Sequence, residues 1–373
     1  MNDNIFLVAI LILFVVFSHP KKEKRTKRHI LLTNDLHSMD NCCEKANSYG
    51  IKIIKPLPYI SGMVCEIEAG QDQMLLALNQ SLTIEEDVRV YAVDNTVGTS
   101  ATATDSISLT GAPLLWKRTK GKGISVAVID TGIANHPDIT IAGGISTLGE
   151  VNTDKYLDDN GHGTHVAGII GANGGRRGLY GMAPEVDLYA VKALDKDGSG
   201  FVSDIIEGIV WAIENKMHIA NMSLGTSESS EALRKTIRKA AFSPTIIVAA
   251  AGNSGRTDNP GVLYPAKYPE VISVGSANNN GDLSDFSSYG RELDLLAYGN
   301  NILSTYLGRT YRRESGTSMA APQVSGALAL MLSLGYRNKD AYRVLVNTAK
   351  RTPLPPEKQG YGLLDLSTIA AQY

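Results

Sequence analysis

From residue 116 to the C-terminus the chain alternates between two hydropathy patterns. Segments 124–129 (ISVAVI), 186–193, 245–251 (TIIVAAA) and 271–274 are almost unbroken apolar runs. Strands covered on both faces look like this, because neither side meets water. Between them lie stretches with a helical period. Across 204–216, Ile205, Ile209 and Ile213 recur every four residues, and Ser203 stands where a helix cap belongs. Strands alternating with helices predict an α/β domain over 116–373, its parallel sheet flanked by helices on both faces.

Residues 29–95 read differently. Short strands are expected at 29–33, 51–57, 60–69 and 88–93, and helices at 38–49 and 71–80. The order β-α-β-β-α-β is that of a small ferredoxin-like α+β domain. The next stretch, 94–110 (DNTVGTSATATDSISLT), is rich in Thr, Ser and Ala and has no long apolar face. Residues 96–115 are therefore expected to form a linker or N-terminal arm. At the front, residues 1–28 join an unbroken apolar run at 5–17 to the basic stretch KKEKRTKR at 21–28. As a helix the run would reach about 20 Å, short of a hydrocarbon core of about 30 Å, so it suits a signal peptide better than a membrane span. The basic residues follow the run instead of preceding it, which opposes the usual export order. A cleaved signal and an uncleaved anchor, with membrane association through 5–17, both stay open. Either one predicts a secreted or cell-envelope protein.

Composition narrows the picture. A chain of 373 residues, 43% hydrophobic, can hold one large core and a smaller unit. A net charge of −2 leaves no electrostatic footprint for a nucleic-acid partner. The cysteines are Cys42, Cys43 and Cys65, all in the N-terminal unit. An odd count with two adjacent residues is not a disulfide framework.

Candidate chemistry sits at three polar islands in the apolar scaffold. Asp130 ends the first buried run, inside VIDTG; His162 lies in GHGTHVAG; Ser318 lies in ESGTSMAAPQVSG, just before an apolar helical run. Serine alone is a poor nucleophile. A neutral imidazole must take its proton, and a carboxylate must hold that imidazole in the right tautomer. Asp130 at a strand's C-terminal end is where α/β sheets place ligand sites. Ser318 opening a helix is where developing negative charge is favoured. Asn253, in AAAGNSG, follows another buried run and offers an amide to an oxyanion, together with the Ser318 N–H. Two other readings fail on residue type. An aspartic protease needs a second Asp-Thr-Gly motif, and zinc helices favour histidines four apart with a glutamate between them.

VIDTGI, HPDI, GHGTHVAG, NMSLG, AAAGNSG, YPAKYP and GTSMAAP together resemble the subtilases, the subtilisin-like serine proteases. The resemblance implies a serine endopeptidase acting on polypeptide substrates, with Asp130, His162 and Ser318 as the triad and Asn253 as the oxyanion residue. It makes His165 a buried structural imidazole. It places an extended substrate between Gly198-Ser199-Gly200 and Ser223-Leu224-Gly225. It points to Leu263, just before Tyr264-Pro265, as the floor of the pocket for the side chain preceding the scissile bond. Asp258 in the adjoining loop is the competing influence on that pocket. The N-terminal unit resembles the family's inhibitory propeptide, an intramolecular partner of the enzyme, with self-cleavage expected within 94–104. No cofactor is implied for the chemistry. A structural calcium is implied through Asp138, but Arg176 and Arg177 in the loop 173–179 weigh against it. Gln323 stands where the family commonly has histidine. Two further readings share the sequence signature: a dedicated processing protease, such as one removing a leader peptide, and a catalytically silent scaffold.

Overall fold

The computed structural model describes residues 26–68, 71, 73, 82–93, 106–175 and 178–373. The apolar run at 5–17, the segment 94–105, Arg176 and Arg177 lie outside these residues, as does nearly all of the helix expected at 71–80. In the N-terminal unit, β1 (Thr26–Leu32), α1 (Leu36–Ser48), β2 (Lys52–Leu57), β3 (Gly62–Glu68) and β4 (Thr83–Glu86) follow in order. Their strands form an antiparallel sheet in the order β2-β3-β1-β4. Asp35 caps α1 by accepting from Ser38 N at 2.7 Å. The helix lays Met39, Cys42 and Ala46 against Leu31, Met63 and Cys65 of the sheet. All three cysteines are free thiols, and burial pushes Cys65 up to about 12.

One strand departs from the sequence expectation. The stretch 88–93 was expected to complete the small sheet, but β4 takes that place and pairs Ile84 with Leu31. The next strand, β5 (Arg89–Ala92), leaves the unit altogether. Its backbone groups are satisfied on both edges by strands of the larger domain, which no local pattern encodes.

The larger domain runs through β6 (Ser125–Asp130), β7 (Ile141–Ser146), α2 (His162–Gly171), β8 (Asp187–Lys192), β9 (Ser199–Phe201), α3 (Val202–Glu214), β10 (Ile219–Met222) and β11 (Leu224–Gly225). It continues with α4 (Glu231–Ala240), β12 (Ile246–Ala250), β13 (Ile272–Ala277), β14 (Leu295–Tyr298), β15 (Ile302–Tyr306), β16 (Thr310–Glu314), α5 (Thr317–Ser333) and α6 (Asn338–Thr348). Seven strands form one parallel sheet in the order β14-β13-β12-β10-β6-β8-β7. Two packed helix pairs, α2 with α5 and α3 with α4, cover it. From β6 the chain builds outward to β8 and β7, then returns to the other side at β10. The chain thus reverses between β6 and β10, and the carboxyl ends of the strands at such a switch are the usual place for a site.

The N-terminal unit docks on α3 and α4 through carboxylates aimed at their first turns. Asp87 accepts from Ser203 N and Oγ at 3.0 and 2.8 Å. Glu85 accepts from Ser230 Oγ, Glu231 N and Ala232 N at 2.7, 2.8 and 3.0 Å. Free N–H groups at helix starts favour negative charge there. Ser203 lies inside the first turn of α3, whose N-cap position is Phe201, so it is not the cap. Asp204, the third helical residue, reaches back to accept from Phe201 N at 3.0 Å, while the Ser203 hydroxyl turns to Asp87. Lys55, 2% exposed, reaches Asp204 and Glu207 at 2.7 Å each and Thr147 O at 3.1 Å. Among the described residues no helix is long and apolar enough to cross a membrane.

Candidate active site

Asp130 is the last residue of β6, and His162 the first of α2. The two meet directly: His162 Nδ1 lies 2.6 Å from Asp130 Oδ1. A carboxylate only accepts, so the proton sits on Nδ1 and Nε2 carries the lone pair. Asp130 is fully buried, and its carboxyl is pushed up by that burial. His162 beside it and the Thr131 N–H, 2.7 Å from Oδ1, pull it back down. The glycines around His162 are geometric needs. Gly161 has φ +112°, and a Cβ there would strike the Tyr306 ring at 2.3 Å. A Cβ on Gly163 would come within 2.2 Å of Gly132 O, so only glycine lets α2 approach β6 this closely.

Ser318 stands in the first turn of α5, and Asn253 follows the end of β12. One carbonyl oxygen brings them together. Val93 O accepts from Ser318 Oγ at 2.6 Å and from Asn253 Nδ2 at 3.0 Å. Asn253 is aimed by its other end, where Oδ1 accepts from Thr317 N and Oγ1 at 3.0 Å each. Thr317, read from the sequence only as a small neighbour of Ser318, is thus also what orients the Asn253 amide. A second buried chain steadies the serine backbone. Ser325 Oγ donates to Asn221 Oδ1, Asn221 Nδ2 to Ser223 Oγ, and Ser223 Oγ to Ser318 O, at 2.8, 3.1 and 3.0 Å.

Val93 arrives on β5, which lies antiparallel between β9 and β11. Val90 pairs with Gly200, Tyr91 with Ser199 and Gly225, and Ala92 with Leu224. Ala92 N donates to Gly198 O at 2.9 Å, and Val93 N to Ser223 O at 3.2 Å. The two segments expected to flank a substrate thus flank β5. Leu263 N donates to Ala251 O at 2.8 Å. The Leu263 side chain lies between Gly225 and Gly252: a Cβ on either would meet it at 3.0 or 2.7 Å. Asp258 is exposed.

The remaining candidates have structural surroundings. His165 is fully buried, and its Nε2–H is shared between Ile302 O and Arg312 O at 3.1 and 3.0 Å. Burial pushes this imidazole down to about 3, so it is neutral. Gln323 is buried and donates to Tyr298 O at 2.7 Å. Asp138 Oδ2 accepts from the Tyr311 hydroxyl at 2.6 Å. Among the described residues no group of three or more His, Cys, Asp or Glu side chains could hold a metal.

A seven-stranded parallel sheet covered by helices, with an aspartate–histidine pair at the end of β6 and a serine in the first turn of α5, marks a recognisable class of α/β protein. Within it, this chain belongs to the Subtilase family, whose profile matches residues 121–362. The chain is 49% identical over 213 residues to the Thermostable alkaline protease of Halalkalibacterium halodurans, covering 57% of this chain and 58% of that one. It is 48% identical over 211 residues to the Minor extracellular protease Epr of Bacillus subtilis, covering 57% and 32%. It is 44% identical over 279 residues to the Intracellular serine protease of Paenibacillus polymyxa, covering 70% and 85%. The match thus spans 58% and 32% of the length of the first two relatives.

Proposed function

We propose that the protein is a serine endopeptidase made as a self-processing zymogen, and that the bond it cuts in itself is Val93–Asp94. The observation that carries this reading is the Val93 carbonyl oxygen, held by Ser318 Oγ at 2.6 Å and by Asn253 Nδ2 at 3.0 Å. A strand paired on both edges delivers that carbonyl, as a polypeptide substrate would be delivered by main-chain hydrogen bonds. In this reading Ser318 Oγ attacks the carbonyl carbon and His162 Nε2 takes the hydroxyl proton. Asp130 holds the imidazole and stabilises its charged form. The tetrahedral oxyanion accepts from Asn253 Nδ2. As the C–N bond breaks, His162 returns the proton to the departing nitrogen, that of Asp94 in the first turnover. Water, deprotonated by His162, then hydrolyses the acyl-enzyme.

The buried Lys55 contacts and the Glu85 and Asp87 caps support the N-terminal unit as a tight intramolecular inhibitor after the cut. The apolar run at 5–17 supports export. Relatives named as extracellular and as intracellular proteases match at similar identity, so export is argued from this chain's own apolar run at 5–17. Mass spectrometry of the purified protein tests the reading. One fragment is expected to end at Val93 and the other to begin at Asp94, with Ser318 labelled by a fluorophosphonate. An N-terminal fragment ending elsewhere than at Val93, or a label elsewhere than on Ser318, overturns it.

Leu263 sets a further expectation. Its branched side chain fills the space between Gly225 and Gly252, and overfilling a packed apolar site costs about 1–3 kcal/mol. Residues of the size of Val93, itself 7% exposed, are expected before the scissile bond. Phe and Tyr should be disfavoured roughly ten-fold or more. A peptide library varied at that position checks this on wild type and on Leu263→Gly, which is expected to gain the large residues. A wild-type preference for Phe, or an unchanged profile in the variant, rejects Leu263 as the floor.

A further inference from the structure

Asp158 lies outside the cluster described above, in the loop before α2, and is buried. Five donors converge on its carboxylate. Oδ1 accepts from Thr131 Oγ1, Asn160 N and Gly161 N, each at 2.9 Å. Oδ2 accepts from Thr164 N at 3.0 Å and Thr164 Oγ1 at 2.5 Å. All five face it as donors. The connections run two ways. Thr131 follows Asp130 directly, and its Oγ1 also accepts from Gly163 N at 2.9 Å. Gly161, Gly163 and Thr164 surround His162 in the first turn of α2.

We infer that Asp158 is a positioning residue for the proposed reaction: it clamps the end of the strand bearing Asp130 to the start of the helix bearing His162. It also adds a second negative charge near the imidazolium formed when His162 takes the serine proton. The other charged groups around His162 are accounted for. Asp130 is its direct partner on β6. His165, on α2, is neutral. Lys192, paired in register with Asp130 on β8, is tied to Asp159 at 2.6 Å and to Thr131 O at 2.7 Å. Arg312 and Glu314, on β16, face each other at 3.5 Å beyond His165. Asp158 is thus the buried carboxylate near His162 with neither a cation nor an imidazole bonded to it, among the contacts described.

The inference rests on the serine-protease reading, and the experiment separates the two. Asp158→Asn keeps the shape, but its NH2 must face two or three of the five donors. In the matured enzyme, kcat is expected to fall about ten-fold or more with KM little changed, since geometry at the reacting groups is lost. The acid limb of kcat/KM is expected to move to lower pH, because the imidazolium loses a stabilising charge. Thr131→Val cuts the clamp and keeps the charge, so kcat falls while the acid limb stays. If Asp158→Asn fails to mature, Thr131→Val decides alone, and a wild-type kcat in it overturns the inference. A lowered melting temperature with unchanged kcat and pH profile in both variants also overturns it, leaving a structural cap. Hydrolysis surviving in Ser318→Ala would instead defeat the underlying reading.

Discussion

Replacing Ser318 by alanine is expected to abolish peptide hydrolysis and to leave a full-length chain with Val93 still joined to Asp94. The side chain removed is small and buried, and its two acceptors, Val93 O and Ser223 O, keep other donors. The Asn253 amide still reaches Val93 O, and Val93 N still reaches Ser223 O. The fold should therefore survive, and loss of cleavage would report chemistry and not unfolding. A fall of about 10⁶ in kcat is the figure for a subtilisin lacking its serine, carried over from that enzyme. Intact-mass measurement and a casein assay read both outcomes on one preparation. Normal maturation of Ser318→Ala, with other proteases absent, would sink the assignment.

The parts of the site that announced themselves in sequence are those whose residue type is dictated locally. Asp130 closes a run of four buried apolar residues, so a charge there stands out. His162 sits between glycines that the approach of α2 to β6 and Tyr306 requires. The strands at 125–130 and 246–250 fell within a residue of the apolar runs, because burial on both faces leaves a continuous signature. What stayed hidden depends on partners far along the chain. Ser203 reads as a cap until Asp87, 116 residues earlier, claims its hydroxyl. Strand 89–92 looks like the edge of a small sheet until two strands of the other domain close on it. Asp158 reads as a loop aspartate, since its donors lie at positions 131, 160, 161 and 164 and only folding gathers them.

Asn253→Ala is expected to lower kcat by about 10²–10³, a range carried over from a subtilisin without its oxyanion asparagine. The substitution removes two different things here. Nδ2 donates to Val93 O, and Oδ1 accepts from Thr317 N and Oγ1 at the start of α5. Loss of the first weakens binding of a charge that is full only in the tetrahedral intermediate, so kcat falls and KM barely moves. Loss of the second frees the turn that carries Ser318, which would also slow the attack. Asn253→Asp separates them. It keeps acceptors for Thr317 but turns an acceptor and a negative charge toward the oxyanion. If donation dominates, this variant is at least as slow as alanine, and both mature slowly but detectably through the remaining machinery. Rates of appearance of the Asp94 N-terminus, followed by mass spectrometry, give the comparison. Should Asn253→Asp process at the wild-type rate, the amide donor has no part in the reaction, and Asn253 serves only to hold Thr317.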